Sequence, residues 1–168
     1  MVPTGKTETP AGDSAEWQKK PLTARPGFLA RRLHQIHVAL FLEECAGFDI
    51  TPVQYSLLSE LAQSGEREQA VLARSLWLDR TNTADVVARL KRRGLVSRRT
   101  NPADKRQRLV ALTDAGRTLL NELSAPAERA HRRTVAALAP EARDLFIRQL
   151  SDLVQSAEAE GAQSPRLR

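Results

Sequence analysis

The sequence predicts a mostly α-helical fold carrying one small β-hairpin, and three observations lead there. Hydrophobic residues make up 41% of the 168 positions but aromatic residues only 4%, so the core is built from Leu, Val, Ile and Ala. That composition favours helices over a β-sandwich. Apolar side chains then recur at helical spacing through most of the chain, and that rhythm breaks once, between Leu95 and Leu112.

Residues 1–24 are rich in Pro, Gly, Thr, Ala and charge, carry no sustained apolar period, and read as a mobile arm. Trp17 stands out within it, either as an anchor onto the body or as an incidental aromatic. From Pro26, Leu29, Leu33, Ile36 and Leu40 fall on one face of a long helix ending near Gly47. Its apolar excess is more than a small domain needs to cover itself.

Thr51, Pro52 and Gln54 form a complete start signal for the next helix: an N-cap, a proline at the first helical position and the glutamine of a capping box. Ile50 and Tyr55 occupy the two staple positions around it. Leu57, Leu58 and Leu61 follow, and Ser64-Gly65 ends the helix. A third, short helix is expected from Arg67 to Leu76, with Ala70, Val71 and Leu72 inward. Asp79 caps a fourth, from about Arg80 to Arg93, packed through Ala84, Val87 and Leu90 and stopped by Gly94.

Leu95–Arg99 and Gln107–Leu112 read as two strands joined across Thr100-Asn101-Pro102-Ala103-Asp104. Thr113 caps a fifth helix, and Pro140 opens a sixth with Phe146, Leu150, Leu153 and Val154 on one face. The last residues, 158–168, read as a mobile tail.

Charge is concentrated rather than spread. Residues 89–108 hold Arg89, Lys91, Arg92, Arg93, Arg98, Arg99, Lys105, Arg106 and Arg108 against one acid, Asp104, although the whole chain carries only +6. The remainder is therefore net acidic. Two short helices, the second basic toward its end, followed at once by a basic hairpin, describe a winged helix-turn-helix. Such a recognition helix fits the major groove of DNA, and the hairpin lies along the backbone or enters the neighbouring minor groove. The bland alternative is a solvated basic face.

The single cysteine, Cys45, excludes an internal disulfide and a zinc-ligand set, and no metal or cofactor is expected. No phosphate-binding glycine loop, nucleophile elbow or metal-ligand spacing is present, so an enzyme is not expected. No apolar run approaches the roughly 18–20 residues that span a bilayer, and no secretory segment is evident, so a cytoplasmic location is expected.

The run Asp104-Lys105-Arg106-Gln107-Arg108-Leu109-Val110-Ala111-Leu112-Thr113-Asp114-Ala115-Gly116 resembles the wing signature D-x-R-x-x-x-V-x-L-T-x-x-G of the MarR (multiple antibiotic resistance regulator) transcription factors. Leu72-Ala73, Leu78-Asp79-Arg80-Thr81, Leu90 and Gly94-Leu95-Val96 resemble that family's helix-turn-helix, and Ile50-Thr51-Pro52-Val53-Gln54 resembles its second-helix phrase. The resemblance implies a MarR-type domain over 25–157, with the winged helix-turn-helix at 50–116 and dimerisation helices at 25–48 and 117–157. One departure is Trp77, where many members have Gly. A right-handed turn with Trp77 packed on the body is expected there.

Thr81, Asn82, Thr83 and Asp85 lie in the first turns of the recognition helix and are candidates for base edges. Asn pairs with adenine and Thr meets a thymine methyl; Asp85 either accepts from cytosine or is a helix-start charge. Arg89, Lys91, Arg92 and Arg93 fall nearer phosphates, and Arg98, Lys105 and Arg108 complete the basic set on the hairpin. The resemblance implies that Arg106 enters the minor groove and that Asp104 holds it or the wing in place.

Family members form dimers and often bind anionic aromatic compounds in a crevice between the dimer and DNA-binding lobes. The resemblance therefore implies a homodimer on a pseudo-palindrome, with its recognition helices about 34 Å apart. Arg31, Arg32, His34, Gln35, His37 and Tyr55 are the candidate effector residues, suited to a carboxylate and a ring. His34 or His37 taken singly reads first as a hydrogen-bonded structural histidine; as a group these residues point to an effector. The expected function is a regulator, by the family's commoner mode a repressor, released from DNA by a hydroxylated benzoate, cinnamate or nicotinate. Two alternatives stay open, a thiol-based redox sensor through Cys45 and a protein–protein adaptor.

Overall fold

Pro26 opens the longest N-terminal element for the reason proline favours a first helical position: its missing N–H has no partner to lose there. In the computed structural model, which describes residues 14–160, this helix is preceded by α1 (Ser14–Lys19) and a single 3₁₀ turn at Leu22–Ala24. Arg25 ties that segment down, its Nε donating to the Lys20 carbonyl at 3.1 Å and Nη2 to that of Gln18 at 3.1 Å. Residues 14–24 thus carry regular structure where an arm without it was expected; residues 1–13 lie outside the described residues. Trp17 is half-buried, with the Lys20 ammonium 4.2 Å from its ring centroid.

The chain continues as α2 (Pro26–Glu44), α3 (Pro52–Ser64), β1 (Arg67–Glu68), α4 (Gln69–Ser75), α5 (Arg80–Arg92), β2 (Val96–Thr100), β3 (Arg108–Leu112), α6 (Asp114–Thr134) and α7 (Pro140–Ala159). The capping box forms as the sequence predicts. Gln54 N–H donates to Thr51 Oγ1 at 3.4 Å, and Thr51 N–H donates to Gln54 Oε1 at 3.1 Å. Asp79 and Thr113 cap α5 and α6 through Asn82 N–H (2.8 Å) and Gly116 N–H (3.1 Å).

The wing is a three-stranded antiparallel sheet in the order β1-β3-β2, one strand more than the expected hairpin. Arg67 opposes Val110 and Glu68 opposes Leu109, so these two residues extend the ladder instead of starting the third helix. That helix begins at Gln69, and Ala70, expected inward, is exposed. β2 and β3 pair from Val96 opposite Leu112 to Thr100 opposite Arg108.

One core joins every element that shapes the site. Phe41 of α2 and Cys45 at its C-cap, Leu57, Leu58 and Leu61 of α3, Leu72 of α4, Val87 and Leu90 of α5, Val96 and Val110 of the sheet, and Leu123, Ala127 and Ala130 of α6 are all buried together. Outside it lies an apolar surface with no cover. Leu29 and Ile36 on α2 are about half exposed, and α7 buries none of its residues, Leu153 being 69% exposed. Residues 158–160, expected in a mobile tail, instead include the last turn of α7; 161–168 lie outside the described residues.

Candidate nucleic-acid interface

The turn between α4 and α5 sets where the recognition helix starts. Trp77 N–H donates to the Arg74 carbonyl at 3.1 Å and Leu78 N–H to that of Ala73 at 2.9 Å, the paired closure of a Schellman motif. The residue at its hinge must be left-handed, and Trp77 has φ +51°. This corrects the expected right-handed turn. The end of α5 makes the same closure with Gly94, at φ +73°, so a tryptophan occupies a position that elsewhere in this chain takes glycine. The left-handed backbone costs a residue with a Cβ about 1–2 kcal/mol. Trp77 is half-buried, and its Nε1–H donates to Glu158 Oε1 at 2.6 Å.

Along α5, Thr81, Asp85, Arg89, Lys91 and Arg92 are exposed, and Asn82 is half-buried. Among the described residues none of Arg89, Lys91 and Arg92 enters an ion pair. Asn82 Nδ2 donates to Asp79 Oδ2 at 2.5 Å, so its amide is oriented before any base arrives. Thr83 is a correction. It is fully buried on the face of Val87 and Leu90, and its hydroxyl donates to the Asp79 carbonyl at 2.8 Å, out of reach of a base edge. Arg93 is another. Its guanidinium donates to the carbonyls of Asp49 and Phe48 and lies 3.7 Å from the Asp49 carboxylate, tying α5 to the α2–α3 loop rather than facing phosphate.

On the wing, Arg98 is half-buried with its Nε enclosed and unpartnered. Arg99 pairs with Glu66 at 2.6 Å. The tip is built by its own side chains: Asn101 Nδ2 donates to Gln107 Oε1 at 2.6 Å, and Asn101 Oδ1 accepts from Ala103 N–H at 3.0 Å. Asp104 Oδ1 accepts from Arg106 N–H at 2.9 Å and lies 3.4 Å from Arg106 Nε, while the Arg106 side chain is 94% exposed. Arg108 Nη1 donates to the Lys105 carbonyl at 2.8 Å, bracing the tip beneath exposed Lys105.

Recognition helix and wing meet over a cleft of about 220 Å³ lined by Glu68, Gln69, Ala70, Arg80, Arg106, Gln107 and Arg108. Arg80 was not among the candidate DNA contacts above. Its signals in the sequence were its place as the first helical residue after the Asp79 cap and its membership of the Leu78-Asp79-Arg80-Thr81 run. Three guanidinium groups from two elements bound a space open to a polyanion.

The candidate effector residues divide. His37 is half-buried against α6. Its Nδ1 lies 2.8 Å from Thr134 Oγ1, and its ring stacks on that of His131 at 5.1 Å. Burial, with the neighbouring His131 and His34, holds the His37 imidazole below its ordinary pKa. Phe41 lies 5.4 Å from Tyr55, continuing an aromatic run inward. Arg31, Arg32, His34 and Gln35 are exposed, the Arg31 guanidinium lying over Phe28. At about 100° per residue, Arg32 falls on the side of α2 away from His37. His131, 94 residues from His37 in the chain, was not among the expected neighbours. Cys45 is 3% exposed, and burial together with the Glu44 carboxylate pushes its thiol pKa up, opposed by Arg129.

The model of the MarR family matches residues 50–107, the span from the α3 cap to the wing tip. The structure is similar to that of the PcaV transcriptional regulator from Streptomyces coelicolor in complex with its natural ligand. The two share 32% identity over 82% of this chain and 97% of that one, with a TM-score of 0.75. The chain belongs to the MarR family. A further MarR-like structure, of Bordetella bronchiseptica BpsR, whose DNA binding is regulated by 6-hydroxynicotinic acid, is 31% identical over 76% of this chain and 97% of that one, with a TM-score of 0.72. The transcriptional repressor NicR of Pseudomonas putida is 28% identical over 93% of this chain and 99% of its own. As a MarR-family transcriptional regulator the protein is not an enzyme. Among the described residues no acidic, His or Cys group is placed to hold a metal, and no helix is long and apolar enough to cross a membrane.

Proposed function

We propose that two copies of this chain bind a pseudo-palindromic duplex and let it go when a small aromatic acid binds. The observation that carries the DNA half is the cleft where Arg80 of α5 meets Arg106 and Arg108 of the wing, with the Arg106 side chain solvent-exposed beside Asp104. Thr81, Asn82 and Asp85 read base edges; Arg80, Arg89, Lys91, Arg92, Lys105 and Arg108 neutralise phosphates; and Arg106 enters the minor groove, oriented by Asp104. Arg98, half-buried with its Nε enclosed, is given no phosphate. The uncovered apolar faces of α2 and α7 form the dimer seam, which two-fold symmetry makes self-complementary.

The effector is a hydroxylated aromatic carboxylate, and 6-hydroxynicotinate is the first to try. The support is the kinship to BpsR, PcaV and the repressor NicR, together with an aromatic run in which His37 of α2 stacks on His131 of α6 and Phe41 of α2 meets Tyr55 of α3. Imidazoles offer donors to a carboxylate, and the aromatic run offers a face to a ring. The deciding experiment titrates 6-hydroxynicotinate, hydroxybenzoates and hydroxycinnamates into the protein bound to a duplex selected from a random library. Release by one of them at micromolar concentration, lost in His37→Ala, supports the reading. Release by none of them, or release by peroxide lost in Cys45→Ser, refutes it.

A further inference from the structure

We infer that Trp77 and Glu158 form a latch that fixes how the helix-turn-helix hangs from the C-terminal helix, and so the separation of the two recognition helices in a dimer. The inference rests on the proposed dimer seam. Its starting point is a mismatch between a residue and its backbone. Trp77 sits at the left-handed hinge of a Schellman motif, at φ +51°, while the matching hinge at the end of α5 is glycine. Glycine would close the α4 turn without strain. The indole contributes nothing to closing the turn, and its contacts lie beyond it.

The indole N–H donates at 2.6 Å to Glu158 Oε1, across 81 residues of chain. Glu158 lies in the last turn of α7 and helps line an apolar groove of about 520 Å³ with Ile147, Leu150 and Val154. That groove belongs to the face read as the seam. At the other end, Trp77 is two residues from Asp79, whose carboxylate caps the recognition helix through Asn82 N–H. The path from seam to DNA reader thus runs from α7 through Glu158, Trp77 and Asp79 into α5. A shift of α7 in the seam turns α5, and Trp77 and Glu158 act as positioning residues.

The test places a spin label at Ala88→Cys, an exposed position on α5, in a Cys45→Ser background, and reads the distance between the two labels of a dimer. Glu158→Ala and Trp77→Phe, which keeps a ring but removes the donor, should each widen or shift that distribution. The double variant should add nothing to either single one, while dimer mass and melting temperature stay put. Unchanged distributions in an intact Glu158→Ala dimer overturn the latch. Glu158→Ala alone decides if Trp77→Phe fails to fold, because Glu158 is exposed. A monomeric wild type at all concentrations instead overturns the seam, and the latch with it.

Discussion

Asp104 holds Arg106 twice within three residues, accepting from its backbone N–H at 2.9 Å and lying 3.4 Å from its Nε. The pair is exposed, so its value lies in orientation rather than in stability. The wing tip is shaped by the carboxylate while the guanidinium remains free to leave it for DNA. Asp104→Ala should accordingly weaken duplex binding about 10-fold with an unchanged melting temperature, a loss of about 1.4 kcal/mol in affinity. Arg106→Ala should cost more than that. Fluorescence anisotropy at one fixed salt checks both, and equal affinity in Asp104→Ala contradicts the role.

Asn82 and Thr83 are neighbours with opposite duties. Asn82→Ala should change which base is preferred at one position, by about 1–3 kcal/mol. Thr83→Val should leave preference alone and lower stability by about 1 kcal/mol, since it removes only the hydrogen bond to the Asp79 carbonyl. Binding-site selection with both variants separates them; altered base preference in Thr83→Val contradicts its buried position.

Much of this could be read from the chain before folding, and the boundary has a physical cause. The Thr51 capping box, the Asp79 and Thr113 caps and the Gly94 stop are written in side chains within four residues of the backbone they satisfy. Thr83, expected at a base edge, is buried instead, although its i, i+4 and i+7 spacing with Val87 and Leu90 carried the inward signal. The strand at Arg67–Glu68 was not, since two residues carry no periodicity. Arg93 and His37 take their places from partners more than 40 residues away, Phe48, Asp49, His131 and Thr134, which no local pattern announces. Trp77 hid its turn because its side chain argues against the backbone it adopts.

Gly94 and Gly116 should fail for different reasons. Gly94 has φ +73° with open space around it, so Gly94→Ala meets only backbone strain, about 1–2 kcal/mol. At Gly116 a Cβ would fall on the Leu95 carbonyl oxygen, and 2.8 Å from Leu112 Cδ1, prying α6 from the root of the wing. Gly116→Ala should cost about 3 kcal/mol or more and weaken DNA binding as well. Urea denaturation ranks the two; a Gly116→Ala protein as stable as Gly94→Ala contradicts the close approach.

His37 makes stability depend on pH in a stated direction. Burial holds its folded-state pKa below the unfolded value of about 6.5, helped by His131 and His34. Between those values the unfolded chain binds the extra proton. Its contribution is therefore fully present above about pH 6.5 and is lost as pH falls toward the folded pKa. Melting temperature should decline from neutral pH to about pH 5, and less steeply in His37→Gln. Glu44, whose pKa is held down by hydrogen bonds from Arg129 and Arg133, acts at lower pH, below the ordinary carboxylate range. Identical pH profiles for wild type and His37→Gln contradict this assignment.

The most direct measurement is the salt dependence of binding to a selected duplex. With Arg80, Arg89, Lys91, Arg92, Lys105 and Arg108 of two copies at phosphates, log K should fall against log salt with a slope approaching about −11, given roughly −0.9 per phosphate neutralised. Arg80→Ala should flatten it by about one per copy. A slope near zero, or no binding at low salt, would show that the cleft between recognition helix and wing does not face DNA.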